Sequence, residues 1–376
     1  MKHKVRRIGV LTSGGDCPGL NAVIRAVTKK AIFEYGYEVV GFKDGFEGLL
    51  FNRHRKLSEN DVSGILTLGG TILGTTNRAN PYKYPVESKS KVEYKDLSQQ
   101  AINNLRKLKI DCLICVGGDG TLSTAHRLSC QGVAVVGVPK TVDNDVKGTD
   151  VTFGFDTAVH IATEGVDRLH TTAESHHRIM ILEVMGRTAG WIALYTGVAG
   201  GGDVILLPEI PYDVSEIAQH IKTRKRKGKH FTILVVSEGA KPIGGKVTVQ
   251  RLVKDGSEPI RLGGVSFVIG QELEKLTGIE TRNVVLGHLQ RGGSPSPFDR
   301  ILGTQLGSKA VDFIAQGHTG CMVGVRDDHF VKVPLSKVAQ GSRLVPLDHS
   351  LIQDARALGI CFGRQARHSP LFGDGQ

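Results

Sequence analysis

Two short segments carry the strongest chemical signal in this chain: Gly117-Gly118-Asp119-Gly120-Thr121 and, about twenty positions on, Pro139-Lys140-Thr141-Val142-Asp143-Asn144-Asp145. Each follows a strand-like apolar run, Cys112 to Val116 before the first and Val133 to Val138 before the second. In an open α/β sheet, ligands bind beyond the carboxyl ends of the strands. Glycines there let backbone N–H groups approach a phosphate closely, and the next helix presents the positive end of its dipole. Carboxylates beside such a cradle hold Mg2+ or accept a proton from a nucleophile. Three aspartates next to a phosphate loop therefore read as phosphoryl transfer. Taken singly, Gly-Gly-Asp-Gly-Thr also describes a tight turn, and Asp-Asn-Asp a solvated loop. Their strand-end placement, in order, favours the chemistry.

Further residues extend the pattern. Ser13-Gly14-Gly15-Asp16-Cys17-Pro18-Gly19 lies between the first strand and a helix, a phosphate-binding position that is neither a Walker loop nor Gly-x-Gly-x-x-Gly. Met185-Gly186-Arg187 follows another strand, Glu238-Gly239 follows another, and His288-Leu289-Gln290-Arg291-Gly292-Gly293 follows Val284 to Leu286. Arg178 precedes a strand and Arg282 lies just before one. Arginine forks bind phosphate bidentately, although a single arginine more often forms a surface ion pair. Together they suggest a second anion site, for a phosphorylated acceptor whose hydroxyls Glu238 would bind.

The elements that must position these residues alternate as strand, Gly-rich turn and helix. Strands are expected at Arg7 to Leu11, Tyr37 to Phe42, Ile179 to Val184, Val204 to Leu207 and Phe231 to Val236. Helices are expected at Asn21 to Glu34, around Leu97 to Leu108, and at Thr157 to Leu169, where Ala158, Val159, Ala162, Val166 and Leu169 share a face. This alternation predicts an α/β fold with parallel sheets covered by helices. Lys241 to Gly264 breaks the rhythm and reads as a surface hairpin or loop insertion. Gly363 to Gln376 has little periodic apolar content and is expected to fray.

The bulk properties agree. The chain has 376 residues, enough for two domains, and its 48 glycines cluster at strand ends, not in low-complexity tracts. No apolar run is long enough to span a bilayer, and no signal-peptide core follows the basic N-terminus, so a cytoplasmic protein is expected. The net charge of +11 suits either nucleic acid or small anionic phosphates. The arginines of interest stand singly beside glycines, with no Arg/Lys stripe interleaved with aromatics, which favours the phosphates. The dense run Lys222 to Lys229 ends a predicted helix, where positive charge suits the dipole. Cys112 and Cys115 form a Cys-x-x-Cys within a predicted strand, where positions three apart face opposite ways, and no second pair completes a zinc site.

With Thr141 to Asp145, Met185-Gly186-Arg187 and Gly287-His288-Leu289-Gln290-Arg291-Gly292-Gly293-Ser294-Pro295 in order, the chain resembles the 6-phosphofructokinase family from about residue 5 to about residue 360. The resemblance implies two Rossmann-like three-layer α/β domains with the active site in the cleft between them. A donor phosphate and Mg-binding domain would hold 1–154 with roughly 290–340. A fructose 6-phosphate-binding domain would hold 155–289 with roughly 341–362, leaving 363–376 as a tail. The implied activity is phosphorylation of D-fructose 6-phosphate at its 1-hydroxyl by ATP and Mg2+, as in glycolysis. Gly15, Arg78, Gly118, Asp119, Gly120 and Thr121 would bind the donor, and Asp119 the metal. Asp143 would be the general base, with Thr141, Asp145 and Arg187 completing the catalytic set. Met185, Gly186, Arg187, Glu238, His288 and Arg291 would bind the acceptor together with Thr141 and Asp143. Arg178 and Arg282 would reach it from a neighbouring subunit, implying a homo-oligomer, dimer or tetramer.

Donor choice is read from Gly120 and Lys140. Pyrophosphate users of the family carry Asp at the first and Lys at the second, whereas bacterial ATP users carry Gly at both, so this chain is mixed. Gly120 leaves room for an α-phosphate and nucleoside, which favours ATP over pyrophosphate. A non-catalytic regulatory subunit or polyanion-binding protein of the same fold is the remaining alternative. His170 stands where the bacterial effector pattern has an arginine.

Overall fold

The structure, a computed structural model, describes residues 5–88, 91–252 and 260–364. In chain order the strands are β1 (Arg7–Thr12), β2 (Glu38–Phe42), β3 (His54–Leu57), β4 (Tyr84–Ser88), β5 (Lys91–Lys95), β6 (Cys112–Gly117), β7 (Val135–Pro139), β8 (Ile179–Val184), β9 (Val204–Leu206), β10 (Thr232–Ser237), β11 (Val249–Leu252), β12 (Ile260–Leu262), β13 (Thr281–Val285), β14 (Cys321–Arg326) and β15 (His329–Pro334). The chain divides into two compact units. One comprises Met1–His160, Leu252–Ile260 and His288–Arg343, the other Ile161–Arg251, Arg261–Gly287 and Leu344–Gln376.

The first unit is built on a seven-stranded sheet in the order β15-β14-β7-β6-β1-β2-β3. Its centre is parallel, and only β3 and β15 run antiparallel to their neighbours. Every residue of β6 and β7 is buried, the reason these strands read as continuous apolar runs: parallel strands are covered on both faces. Leu113 and Cys115 of β6 and Val135 of β7 pack into a core with Leu122, Ala125 and Leu128 of the helix Asp119–Cys130. From β1 the sheet grows to one side through β2 and to the other through β6. That reversal is the topological switch point at which such sheets bind ligands.

The second unit carries a four-stranded, all-parallel sheet, β13-β8-β10-β9. Its core joins Ile179 and Ile181 of β8 to Leu234 and Val236 of β10 and to Val265, Ile269 and Leu273 of the helix Val265–Thr277.

Two expectations are corrected, the place of Arg282 and the extent of one helix. Arg282 does not precede its strand; it is the second residue of β13, opposite Met180. The helix expected at Thr157 to Leu169 runs from Phe155 to His176. In the 241–264 stretch, read as a surface hairpin or loop insertion, β11 and β12 do pair as a two-stranded sheet, with residues 253–259 outside the described residues. A second hairpin, β4 with β5, has no counterpart in the sequence reading. The tail from 365 onward lies outside the described residues.

Candidate active site

β1 and β6 are neighbours at the switch point, with Leu11 opposite Cys115 and Thr12 opposite Val116, and Ser13 N donates to Val116 O at 3.0 Å. The turns leaving both strands therefore start side by side. After β6, Gly118 caps the helix Asp119–Cys130, and Leu122 N makes the first intrahelical bond, to Gly118 O. The N–H groups of Asp119, Gly120 and Thr121 then lack intrahelical partners and lie at the positive end of the dipole. A Cβ at Gly117 would sit 2.3 Å from the Thr121 side chain, so only glycine fits beneath this turn. A Cβ at Gly120 would meet nothing within 4 Å; that position opens outward.

The turn after β1 is held from three sides. Gly14 N donates to Thr76 O at 3.1 Å and Thr75 Oγ1 to Gly14 O at 2.7 Å, which lays the segment carrying exposed Arg78 alongside. Lys140, only 4 % exposed, donates its ammonium to Gly15 O. Arg291 Nη1 donates to Asp16 O at 2.9 Å. Burial pushes the Lys140 pKa below the ordinary lysine value.

Lys140 N donates to Gly117 O at 3.0 Å, which sets the segment after β7 beside the β6 turn. Thr141 Oγ1 accepts from Asp143 N at 3.1 Å. Burial, and then the charges of Asp143 and Asp119, push the Asp145 carboxyl well above the usual carboxylate range, against a hydrogen bond from the Thr141 side chain. Carboxylate oxygens are the donor type a hard divalent cation such as Mg2+ takes. Among the described residues no group of three or more His, Cys, Asp or Glu side chains is placed to hold a metal ion. Mg2+ takes one or two carboxylates and completes its shell with substrate phosphates and water.

In the second unit Met185–Arg187 follows the carboxyl end of β8 and Glu238 that of the adjacent, parallel β10. Ser237 Oγ donates to Gly186 O, Gly239 N to Gly186 O at 3.2 Å, and Glu238 N to Val184 O at 2.9 Å. Arg178 and Arg282 lie at the other end. Arg178 Nε donates to Glu280 Oε2 at 2.5 Å, and Arg282 Nη2 pairs with Glu280 Oε1. Six residues of β8, about 20 Å at about 3.3 Å each, separate the Arg178 end from the Arg187 end. His288 is exposed on the short 3-10 helix Gly287–Arg291. Cys112 and Cys115 are buried in β6, and burial raises both thiol pKa values.

The first unit thus joins Gly15, Gly118–Thr121, Lys140–Asp145 and Arg291, while the second joins Met185–Arg187 with Glu238 and, separately, Arg178 with Arg282. The sequence reading missed Asn144 and Arg343, which support the Asp143–Asp145 loop. A signal for Asn144 existed: asparagine is the non-glycine residue that best tolerates a left-handed turn.

A model of the family described as Phosphofructokinase matches residues 7–314. The chain belongs to the phosphofructokinase family. It is 52% identical over 364 residues to "ATP-dependent 6-phosphofructokinase 2" of Clostridium perfringens, covering 96% of this chain and 100% of the relative. It is 49% identical to "ATP-dependent 6-phosphofructokinase" of Spirochaeta thermophila, covering 95% and 98%. Among solved structures, Pichia pastoris phosphofructokinase in the T-state superposes with a TM-score of 0.77 at 31% identity, over 90% of this chain and 36% of that longer one. Pyrophosphate-dependent phosphofructokinase from Marinobacter aquaeolei has the same TM-score at 23% identity, over 99% and 94%, a likeness of fold alone. The two phosphate-type turns and the Asp143–Asp145 loop all fall within the stretch that matches the phosphofructokinase family. No helix among the described residues is long and apolar enough to cross a membrane.

Proposed function

We infer that this chain transfers the γ-phosphoryl group of ATP to the 1-hydroxyl of D-fructose 6-phosphate, giving fructose 1,6-bisphosphate and ADP. The observation that carries this is the meeting, within one unit, of the turns that leave β1 and β6 at the switch point with the Lys140–Asp145 segment, joined by Ser13 N to Val116 O and Lys140 N to Gly117 O. Two relatives about half identical over nearly the whole chain, both named for ATP, support the donor.

The free N–H groups of Asp119, Gly120 and Thr121 and their helix dipole take the donor phosphates. Gly120, with open space before it, admits the α-phosphate and nucleoside. Asp143 accepts the proton of the 1-hydroxyl as its oxygen bonds to the γ-phosphorus. The bond from that phosphorus to the β,γ-bridging oxygen breaks, and ADP leaves with the electron pair. Thr141 and Asp145 would support the transferring phosphoryl group and the metal. Asp119 would anchor Mg2+, which when bound neutralises charge on the phosphoryl oxygens.

On the acceptor, Arg187 and Arg291 neutralise phosphate, Glu238 accepts from sugar hydroxyls, and Met185, Gly186 and His288 complete the contacts. Arg291 has guanidinium donors beyond the one given to Asp16. Arg178 and Arg282, at the far end of β8 from Arg187, serve a neighbouring subunit's site, so the enzyme is a homo-oligomer. Its reaction belongs to glycolysis, which fits a cytoplasmic enzyme.

A coupled assay with fructose 6-phosphate and Mg2+, run with ATP and separately with pyrophosphate, tests this. Turnover with ATP is expected. Turnover with pyrophosphate alone would make the chain a pyrophosphate-dependent phosphotransferase. Turnover with neither would leave a regulatory or polyanion-binding chain of the same fold.

A further inference from the structure

We propose that Asn144 is a positioning residue that fixes Asp143 against the transferring group by holding the backbone between Asp143 and Asp145 in a left-handed conformation. The proposal rests on the phosphoryl-transfer reading above, which gives Asp143 its role as base.

Asn144 has φ 51°, one of the few non-glycine residues of the described chain at positive φ, and is 4 % exposed. That region is sparsely populated for residues with a Cβ and persists only where the surroundings over-determine it. Here they do. Asn144 Oδ1 accepts from Thr152 N at 3.0 Å, with Thr152 Oγ1 3.4 Å away, and Asn144 Nδ2 donates to Asp150 O at 3.3 Å. The main-chain carbonyl of Asn144 accepts from Arg343 Nη1 at 3.1 Å, and that of Asp145 from Arg343 N at 2.6 Å. Thr152 is fully buried and its hydroxyl also donates to Thr141 O at 2.8 Å, so one residue braces both ends of the Thr141–Asn144 turn. Thr141 in turn receives Asp143 N–H.

These bonds converge on the residue between the two carboxylates, and none is made by a carboxylate oxygen of Asp143 or Asp145. They spend the polar groups of Asn144 on geometry. Displacing a catalytic group by about 1 Å costs roughly 100-fold in rate. Alanine at this position keeps the Cβ that disfavours positive φ and loses both side-chain anchors. Glycine loses the anchors but adopts the conformation freely. Aspartate keeps an acceptor for Thr152 N and loses the donor to Asp150 O.

The test compares kcat, KM for both substrates and Tm of wild type with Asn144→Ala, Asn144→Gly, Asn144→Asp and Asp143→Ala. Asp312→Asn serves as a stability control, since it breaks the 2.7 Å ion pair with Lys30 away from this loop. Asn144→Ala is expected to lower kcat about 100-fold with each KM within about threefold, while Asp312→Asn lowers Tm and spares kcat. Asn144→Gly is expected to recover at least about tenfold of the loss because it restores the backbone conformation; should the alanine variant not fold, the glycine and aspartate variants, each expected below wild type in kcat, decide. Unchanged kcat in these variants, or a loss confined to KM, overturns the proposal. Inactive wild type overturns the phosphoryl-transfer reading itself. Active wild type with inactive Asp143→Ala and normal Asn144 variants overturns this inference alone.

Discussion

The ammonium of Lys140 and the carbonyl of Gly15 are hydrogen-bonded across 125 positions of sequence. One position on, Asp16 O accepts from Arg291 Nη1 at 2.9 Å. Two consecutive carbonyls of the first Gly-rich turn are thus each held by a cation, one arriving from the end of β7 and one from the 3-10 helix Gly287–Arg291. A phosphate-binding turn works by presenting N–H groups, so drawing its carbonyls inward onto cations favours that presentation. Lys140 thereby acquires a role as a strut beneath the donor turn, beside its reading as a donor-specificity residue.

Replacing the strut by Lys140→Met should loosen the turn while leaving the acceptor side untouched. The expected outcome is a KM for ATP raised about tenfold, equivalent to one charge-assisted hydrogen bond of about 1.4 kcal/mol, with KM for fructose 6-phosphate within twofold. Steady-state kinetics with each substrate varied in turn would show this, and equal rises in both constants would sink it.

Asp143→Ala should lower kcat by roughly 10²- to 10⁴-fold, the range for loss of a positioned general base, with ATP binding little changed. A folded Asp143→Ala protein with near-normal kcat would remove Asp143 from that role.

The parts of this arrangement that were legible in the sequence are those with a local cause. β6 and β7 are continuous apolar runs because they are buried on both faces, and each ends in one of the turns proposed above to do the chemistry. β13 begins Thr281-Arg282-Asn283 and is an edge strand with most of its residues partly or fully exposed, so an apolar-run reading starts it late and leaves Arg282 outside. The β4–β5 hairpin mixes Lys, Glu and Tyr with little alternation, and partly buried Tyr84 reaches the core only through the tertiary fold. The bonds from Lys140 to Gly15 and from Arg343 to Asn144 join residues far apart in sequence, and no local pattern signals them.

Arg178 and Arg282 share Glu280 at the amino ends of β8 and β13, opposite the end that carries Arg187. If they complete a neighbouring subunit's site, mixing Arg282→Ala with Asp143→Ala and allowing subunit exchange should restore activity neither parent has. Verified exchange without recovery, in a native-mass or labelled-subunit measurement, would count against shared sites.

Asp299 gives a pH signature of stability. It is fully buried in the first turn of the helix Pro297–Ala315 and accepts from Thr157 N at 2.8 Å and Thr157 Oγ1 at 2.5 Å. Burial pushes its pKa up to about 6 from 3.8, only partly offset by the Thr157 bonds. A raised carboxyl pKa contributes stability that is fully present below 3.8 and lost as pH rises through about 6. The loss is on the order of 3 kcal/mol at about 1.4 kcal/mol per unit. Tm of wild type relative to Asp299→Asn should therefore fall between pH 4 and pH 7; a flat difference would mean the carboxyl titrates normally.

Gly120 is where donor choice should be decided. A Cβ there would meet no protein atom within 4 Å, so Gly120→Asp should fold normally. It is the second residue of its helix, where an added carboxylate gains about 0.3–1 kcal/mol from the dipole, so Tm should not fall by more than about 3 °C. The same carboxylate would stand in the space left for the α-phosphate, beside Asp119, adding bulk and repulsion against ATP. Its kcat/KM with ATP should drop by about 100-fold or more, while any use of pyrophosphate, which has no α-phosphate to meet it, should fall less. Lys140, held on Gly15 O, stays in place in that variant. Parallel assays with both donors on wild type and Gly120→Asp decide the matter. Wild type that uses pyrophosphate and ignores ATP would shift control of the donor from Gly120 to Lys140.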